Sequence, residues 1–368
     1  MKKEIINLAY EKAVKVLELT STPHGFFAAY PGYDAIWARD SMISSLGASE
    51  LGEKFKNTFK QSLITLAKNQ SDKGQIPNAV DKYSKRKSHV DFQSIDSTMW
   101  FIIGEYHYKK KYGNSLFKIN KENLKKSLIW LKYQDISEVG MLAQLPTSDW
   151  QDAFPHRYGY TINTQALYYK VLLLFGEKKL ARKIKATVNS NYDKKLWNGN
   201  FYLPWRWKNH NKYQEKGEWF DSLGNLLAII FDLADKYKAE KIFRYIKKNK
   251  IDEPYPIKSI YPPIKKGSKD WQDYFEDSDA RALYNYSNGG IWTYIGGFYV
   301  LALVKYRKFN EAKKQLIKLA EANMKLGGNF SEWLNGKTGK PSKSGNQAWN
   351  AGMYILAHNS LKKKKILI

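Results

Sequence analysis

Twelve stretches of this sequence place apolar residues three and four positions apart, the spacing that puts side chains on one face of an α-helix. In the clearest stretch, WFDSLGNLLAIIFDLADKY, Phe220, Leu223, Leu227 and Ile230 recur at this interval. The pattern predicts an all-α chain. The predicted helices span residues 1–19, 38–52, 55–70, 96–112, 121–134, 160–175, 178–191, 219–236, 238–249, 291–305, 309–325 and 346–362.

The predicted helices form six pairs, in which the first member is richer in apolar and aromatic residues and the second in lysine. Short connections, such as the one between 219–236 and 238–249, indicate helical hairpins. Six helices buried all round and six amphipathic ones suit a toroid with an inner and an outer ring. We therefore predict a single (α/α)6-barrel domain over residues 1–368. An irregular helical solenoid is the alternative, although no fixed-period repeat supports it.

Composition excludes several kinds of site. The chain has no cysteine, so it has no disulfide, thiolate nucleophile or cysteine-bound metal. Its six histidines lack metal-ligand spacing, and we expect neither a metal nor another cofactor. The N-terminus lacks the apolar core of a signal peptide, and no apolar run approaches a membrane span of about 18 residues. A cytoplasmic protein without a membrane partner is expected.

The formal net charge of +26 raises the question of a nucleic-acid partner. Only eight of the 61 basic residues are arginines, and the lysines lie in runs such as KKNK and KKKK. Proteins that read nucleic-acid sequence depend on arginine for bidentate contacts. No helix-turn-helix, ribonucleoprotein or zinc-finger pattern occurs. We expect a solvated lysine-rich surface rather than a nucleic-acid interface, with an anionic partner as the alternative.

Five clusters before predicted inner helices combine a carboxylate or amide with an aromatic residue: PGYDAIWARDSM, DFQSIDSTMWF, TSDWQDAF, YSNGGIWTYIGG and GGNFSEWLNGKTGKPSKSGNQAWNAG. In a toroid the loops that precede the inner helices gather at one end, which makes that end the candidate site. Aromatic rings suit the apolar faces of a sugar, and carboxylates and amides suit its hydroxyls. Cleavage of a glycosidic bond needs two carboxyl groups, one protonated and one ionised.

Each cluster also has a structural interpretation. Asp40 and Asp96 could cap helices, tryptophans at helix starts could belong to the core, and Asn288 could serve a turn. Asp149 and Asp152 lie too far before the next helix to cap it. Because the same chemistry recurs in all five clusters, a shared binding site is the better interpretation.

These motifs resemble those of the α/α-barrel glycoside hydrolases that include amylo-α-1,6-glucosidases, alkaline/neutral invertases and processing α-glucosidases. YDAIWARDSM is similar to the invertase segment Tyr-Asp-Gln-Val-Phe-x-Arg-Asp. DWQDAFPHRYGYTINTQALYY resembles the segment that carries the family's catalytic acid, and FSEWLNG resembles the closing motif with the second catalytic carboxylate. The resemblance runs from about residue 25 to residue 360.

The resemblance implies an inverting glycoside hydrolase that cleaves an α-glucosidic bond in a short oligosaccharide or α-glucoside. Aligned on Tyr-Gly-Tyr and Gln-Ala-Leu, the family acid falls on Asp152, and the closing motif makes Glu332 the general base. The implied substrate contacts are Trp37, Arg39, Asp40, Asp96, Asp149, Trp150, Gln165, Asn288, Trp292, Gln347 and Trp349. The expected partner is a small carbohydrate, and the sugar, the linkage and the oligomeric state stay open.

Two departures bear on the subfamily. Ala153, Phe154 and Pro155 replace the Arg-Arg-Met that follows the acid in invertases, and Asn163 replaces a glutamate. Both argue against a strict invertase, although a sucrose-cleaving invertase stays a second hypothesis. Without the extra N-terminal domain of debranching enzymes, a long branched polymer is not the expected substrate. Two further functions stay open on the same barrel: a sugar isomerase or epimerase, and a non-catalytic module that binds carbohydrate or a polyanion.

Overall fold

A computed structural model describes residues 2–81, 89–190, 195–210 and 212–368 of the chain. Three 3-10 helices occur at Ser49–Leu51, Asp273–Asp277 and Asp279–Arg281. The α-helices are α1 (Lys2–Thr20), α2 (Ala38–Ala48), α3 (Lys56–Lys68), α4 (Asp96–Tyr112), α5 (Ser115–Ile119), α6 (Lys121–Lys132), α7 (Ile162–Phe175), α8 (Lys178–Asn189), α9 (Ser222–Ile230), α10 (Lys236–Lys248), α11 (Thr293–Lys305), α12 (Phe309–Asn323), α13 (Lys325–Gly328) and α14 (Ala348–Lys362).

Six long helices form a closed inner ring. Each packs on the next in the order α2, α4, α7, α9, α11 and α14, and α14 packs back on α2. The outer layer consists of α1, α3, α6, α8, α10 and α12, of which α1 packs on both α14 and α12. The predicted (α/α)6 barrel of about twelve helices is confirmed. None of the helices in the described ranges combines the length and the apolar character needed to cross a membrane.

The two layers differ in how their side chains are buried. Every residue of α2 and of α9 is buried, as expected for helices surrounded on all sides. In the outer helix α8 the buried residues are Ala181, Ile184 and Val188, which lie three and four positions apart, and lysines cover its solvent side. The pairing of apolar with lysine-rich segments along the sequence therefore corresponds to the inner and outer layers.

The ring closes through an unusually close approach of α2 to α14. A side chain at Gly47 would place its Cβ 1.8 Å from the backbone oxygen of Gly352, and one at Gly352 would meet the backbone of Ser44 at 2.6 Å. Only glycine leaves room for two helix backbones at this distance. The buried hydroxyl of Ser44 donates to the carbonyl oxygen of Asp40 at 2.6 Å, so the contact leaves it satisfied.

Short antiparallel strands join the loops that precede the inner helices. β3, β6 and β9 lead directly into α2, α7 and α9, and therefore direct these helices into the ring. The sheets pair β1 with β2, β3 with β4 and β5, β6 with β7 and β8, and β9 with β10. The strands are β1 (Ser21–Thr22), β2 (Gly25–Phe26), β3 (Ile36–Trp37), β4 (Ala79–Val80), β5 (Val90–Asp91), β6 (Tyr160–Thr161), β7 (Trp205–His210), β8 (Tyr213–Lys216), β9 (Phe220–Asp221) and β10 (Ile260–Tyr261).

All twelve predicted helices are present, and the largest difference concerns the predicted helix 219–236. Its helical part, α9, ends at Ile230 because Asp232 adopts a left-handed φ of 66°. The turn is closed by a hydrogen bond from Ala234 N to Ala228 O at 2.9 Å. The strands were not predicted, since most are two residues long and too short to show a period of two.

Candidate active site

A pocket of about 90 Å³ lies where the loops before α2, α7, α11 and α14 meet. Nine of the residues predicted from sequence line it, together with three that were not predicted. The predicted ones are Trp37, Arg39, Asp40, Trp150, Asp152, Trp292, Glu332, Gln347 and Trp349. The three others are Ala28, Tyr33 and Tyr286. Four of the five predicted clusters therefore contribute to one pocket, and DFQSIDSTMWF is the cluster that does not.

Aromatic rings form much of the pocket wall. Trp292 makes edge contacts with Trp150 and Trp349, with ring centroids 5.8 and 5.7 Å apart. Behind them, Tyr294 stacks on Trp349 at 4.0 Å. Because each ring is fixed by another ring, the wall offers preformed apolar faces, which suits the C–H faces of a pyranose.

Several donors that line the pocket are buried and have no hydrogen-bond acceptor among the described residues. They include the indole nitrogens of Trp37, Trp150 and Trp349 and the side-chain amide nitrogen of Gln347. The Nε of Arg39 is also without an acceptor, its distance to Asp40 Oδ2 being 3.8 Å. Buried polar groups in native proteins are nearly always satisfied, so donors concentrated at one pocket indicate a ligand rich in acceptor oxygens or bound water.

Asp152 lies on a loop whose two ends are held together. Arg157 donates to both carboxylate oxygens of Asp149 at 2.8 Å, and the backbones of Gln144 and Gly159 exchange two hydrogen bonds. Arg157 also donates to Asp221, which accepts from Gly224 N as the N-cap of α9. This buried ion-pair network connects the loop to the inner ring and limits where Asp152 can lie.

The carboxyl group of Asp152 is in a setting that favours its protonated form. Solvent reaches the side chain through the pocket, yet the surrounding protein still removes enough water to raise the pKa of Asp152. Arg39 acts in the opposite direction, and the nearby Asp149 adds to the increase. A backbone hydrogen bond also acts to lower this pKa, but among the described residues no side chain donates a hydrogen bond to the carboxyl group.

Glu332 comes from the loop before α14 and has hydrogen-bond donors of its own. Burial raises its pKa, whereas hydrogen bonds from Tyr33 and Ser344 lower it. The hydroxyl of Tyr33 donates to Glu332 Oε1 at 3.2 Å. The loop is fixed from behind, because Asn350 on α14 donates to Ser331 O at 2.8 Å. Glu332 thus has two donors that stabilise its ionised form, and Asp152 has no comparable side-chain donor among the described residues.

A third carboxyl group, that of Asp40, lies at the start of α2. Burial raises its pKa to about 7, although the neighbouring Arg39 acts to lower it. Arg39 donates to Asp96 Oδ1 at 2.9 Å, so Asp96 holds the guanidinium group in place. Neither aspartate caps its helix, since α2 and α4 begin after Trp37 and Ile95 without a side-chain cap.

Four residues predicted to contact substrate do not line this pocket: Asp96, Asp149, Gln165 and Asn288. All four are buried and make hydrogen bonds within the protein. Gln165 exchanges two hydrogen bonds with the backbone of Leu142, and Asn288 does the same with Ile264. Asp149 is paired with Arg157 and Asp96 with Arg39. These contacts suit residues that support the loops, and a contact of the four with substrate stays a prediction.

Tyr33, Tyr286 and Arg157 were missed. Tyr33 lies in the cluster PGYDAIWARDSM and Tyr286 begins the cluster YSNGGIWTYIGG, so their membership of two predicted clusters was the available signal. Tyr286 has a φ of 44°, and Phe330 and Asn346, which flank Glu332, have φ of 46° and 52°. Left-handed backbone at non-glycine residues costs about 1–3 kcal/mol each and is concentrated at functional sites.

A larger cavity of about 640 Å³ lies beside the Asp152 loop, and its walls are mainly apolar, including Trp130 and Trp207. None of the described residues that line it carries a carboxyl group, so size alone does not identify the reactive site. In the part of the chain that the structure describes, no three His, Asp or Glu side chains are grouped as metal ligands.

Comparisons with known proteins identify the fold. The model of the alkaline and neutral invertase family matches residues 209–364. An uncharacterized conserved protein from Thermus thermophilus superposes with a TM-score of 0.74 at 13% identity, over 94% of this chain and 98% of that one. A GH63 mannosylglycerate hydrolase from the same organism, in complex with Tris and D-glycerate, gives a TM-score of 0.70 at 13% identity, over 94% of this chain and 99% of that one. This is the fold of the α/α-barrel glycoside hydrolases.

A further structure, described as a wild-type glycosidase, matches with a TM-score of 0.71 at 13% identity and covers 98% of both chains. A search of the curated proteins gave no match. The family match and the glycosidase structures support the predicted class of enzyme, a glycoside hydrolase. The matched range 209–364 contains Glu332 and the loops before α11 and α14, whereas Asp152 precedes it.

Proposed function

We propose that this α/α-barrel protein is an inverting glycoside hydrolase that acts on a short α-glucoside. The observation that carries the proposal is the pair Asp152 and Glu332, two carboxyl groups with unlike surroundings that line one pocket with aromatic walls. Asp152 has a raised pKa and, among the described residues, no side-chain donor, as a general acid requires. Glu332 has Tyr33 and Ser344 as donors, as suits an ionised base.

In this mechanism the proton of Asp152 passes to the glycosidic oxygen as the bond from that oxygen to the anomeric carbon breaks. Glu332 removes a proton from a water molecule, whose oxygen forms the new bond to the anomeric carbon on the opposite face. The leaving group departs as a neutral alcohol, and the sugar is released with inverted configuration. Each proton transfer is worth about 10²–10⁴-fold in rate when the group is correctly placed.

The remaining pocket residues would bind the sugar that is transferred to water. Asp40 and Arg39 offer a carboxyl group and a guanidinium group to adjacent hydroxyls, and the unsatisfied donors of Trp37, Gln347 and Trp349 would bind its oxygens. The Trp150 and Trp292 rings would pack on its apolar face. No step requires a metal or an organic cofactor.

The test is hydrolysis of a panel of sucrose, trehalose, maltose, isomaltose, panose, glucosylglycerate and α-glucosyl fluoride, with the released anomer followed by NMR. We expect β-glucose to be formed first from an α-glucoside. Release of α-glucose would contradict inversion, and failure to cleave any α-glucoside or the fluoride would reject the proposed activity. Glu332→Ala, expected to be folded and inactive on every substrate, and Asp152→Ala, expected to be folded and to lose the O-glucosides but not the fluoride, serve as matched controls against a contaminating glycosidase.

Sucrose is the second candidate substrate, because the family model that matches residues 209–364 is that of alkaline and neutral invertases. Against it stand Ala153, Phe154 and Pro155, which replace the Arg-Arg-Met of invertases directly after the acid. A kcat/KM for sucrose that exceeds the values for trehalose and maltose would favour this candidate over the first.

A further inference from the structure

A cavity of about 460 Å³, the second cavity, adjoins the pocket of about 90 Å³ that holds Glu332, the first pocket. Asp152 lines both. The other walls of the second cavity come from two loops, one with Thr147 and His156 and the other with Tyr274, Asp277 and Ser278. The two loops are held together, because the Phe154 and Phe275 rings lie 4.4 Å apart and His156 Nδ1 lies 3.0 Å from the hydroxyl of Tyr274. The cavity is therefore a defined part of the fold.

The role of the second cavity is inferred from its position beside Asp152, and this inference rests on the proposed function. The general acid protonates the oxygen of the departing group, so that group must lie on the same side as Asp152. The sugar that is transferred to water occupies the first pocket, between Asp152 and Glu332. We propose that the second cavity binds the leaving group, and that it selects a neutral, hydroxyl-rich alcohol, a second sugar or a polyol, over one that carries a carboxylate.

The side chains of this cavity supply hydroxyl groups and negative charge. Thr147, Tyr274 and Ser278 provide hydroxyls, Asp277 provides a carboxylate, and Asp152, as the proposed acid, provides a protonated and uncharged carboxyl group. Among the described residues that line the cavity, none is lysine or arginine. His156 adds no positive charge at neutral pH, because burial lowers its pKa from an ordinary value that is already below 7. A carboxylate on the leaving group would have no cation here to balance it.

The loop that carries Tyr274 and Asp277 departs from the charge of the whole chain. Residues 270–281, DWQDYFEDSDAR, hold five carboxylates and one basic side chain, in a chain of net charge +26. Lys266, which approaches this loop, is already paired with Glu276 at 2.6 Å. Like charges brought together without compensation reduce affinity and exclude wrong partners. The local field at this cavity therefore opposes an anionic leaving group although the protein as a whole attracts anions.

A matched pair of substrates tests this directly. Glucosylglycerol and glucosylglycerate carry the same sugar, and their leaving groups differ by a carboxylate. We expect a higher kcat/KM for glucosylglycerol, whereas an equal or higher value for glucosylglycerate would overturn the inference. α-Glucosyl fluoride, whose leaving group does not fill the second cavity, separates the two proposals. If the protein cleaves the fluoride but neither glucosylglycerol nor any neutral disaccharide, only the inference about the second cavity is overturned. If it cleaves none of these substrates, that inference and the proposed hydrolase activity are both rejected.

Asp277→Lys tests the residue itself. The ratio of kcat/KM for glucosylglycerol to that for glucosylglycerate should fall by roughly fivefold, the scale of one screened charge contact. Asp273→Lys is the control, because this substitution changes the net charge by the same amount. Asp273 lies in the same 3-10 helix as Asp277 and does not line the cavity. An unchanged ratio in Asp277→Lys, or an equal fall in Asp273→Lys, would overturn the role of Asp277. Asp277→Asn, for which the ratio should fall by less, covers the case in which the lysine variant fails to fold.

Discussion

At the scale of single residues, the two proposed catalytic carboxyl groups differ in their hydrogen-bond donors rather than in burial alone. Asp152 is exposed and Glu332 is buried, yet loss of hydration from the surrounding protein raises the pKa of both. Glu332 accepts from Tyr33 at 3.2 Å, while no described side chain donates to Asp152. Donors stabilise a carboxylate more than a protonated carboxyl group, so this difference supports the proposed roles of Asp152 as acid and Glu332 as base.

This assignment predicts different substrate dependence for two substitutions. Asp152→Asn should lower kcat/KM for alkyl α-glucosides by about 10²–10⁴-fold but change that for α-glucosyl fluoride far less, because fluoride departs without a proton. Glu332→Gln should lower both, since water still needs a base. Steady-state kinetics on the two substrates checks this, and an equal loss on both substrates for Asp152→Asn would contradict its role as acid.

The raised pKa of Asp40 predicts that this residue makes the protein less stable at neutral pH than at acidic pH. Its folded-state pKa is about 7, against about 4 for an unfolded aspartate, so the folded protein holds a proton that the unfolded chain releases between these values. Stability from this group is fully present below the unfolded pKa and is lost as the pH rises through the folded one.

Asp40→Asn should therefore raise the free energy of unfolding, relative to the parent protein, at about pH 7.5. The difference between the two proteins should vanish at about pH 4, where the side chain at position 40 is neutral in both folded proteins. Urea unfolding at the two pH values measures it. The same difference at both pH values would indicate an effect of packing and not of ionisation. The substitution should also reduce activity, since Asp40 lines the pocket.

At the scale of elements, the loop between α6 and α7 depends on a buried ion-pair network. Arg157 has a fully buried guanidinium group, with Asp149 and Asp221 as its partners, both also fully buried. Burial opposes the ionisation of Asp149, but the charge of Arg157 and the hydrogen bonds that Asp149 accepts lower its pKa overall. The network connects the Asp152 loop to the start of α9, so the position of the acid depends on a neighbouring inner helix.

Arg157→Met should destabilise the protein by about 3–5 kcal/mol, because it leaves two buried carboxyl groups without a cation. Among the molecules that remain folded, hydrolysis of alkyl α-glucosides should fall more than that of α-glucosyl fluoride, since the acid is displaced. Arg157→Lys, which keeps the charge without the bidentate geometry, should lie between the parent protein and Arg157→Met. Equal losses on both substrates would mean that Arg157 supports the fold only.

At the scale of the whole molecule, the first and the last long helix of the described ranges contact each other. The first helix, α1, packs on the last, α14, and the Tyr354 hydroxyl donates to Ile6 O at 3.0 Å. One cluster of buried apolar side chains extends through every long helix of the described ranges. We propose on this basis that residues 1–368 fold as a single domain.

A single domain should unfold in one cooperative transition. Far-ultraviolet circular dichroism follows the loss of the helices, and tryptophan fluorescence follows the loss of the site. In one cooperative transition the two signals should give the same midpoint in urea. Two separated midpoints would contradict the single domain and would show which part unfolds first.

The sequence alone determined the twelve helices and their division into inner and outer layers, and the resemblance of its motifs to a known family implied the pair of carboxyl groups proposed for catalysis. These depend on local periodicity and on short motifs, which are visible along the chain. It did not distinguish the aspartates that face the pocket from those that hold it together. Asp152 and Asp149 are three positions apart, yet one lines the pocket and the other is paired with Arg157.

Only the tertiary structure decided that distinction, because the role of a buried carboxyl group depends on which charge or donor lies opposite it in space. Arg157 meets Asp221 across 64 positions of sequence, and Tyr33 meets Glu332 across 299. Closure of the ring brings such residues together. The second cavity is likewise formed by two loops that are distant in sequence, so its charge could be assessed only once the barrel had placed them side by side.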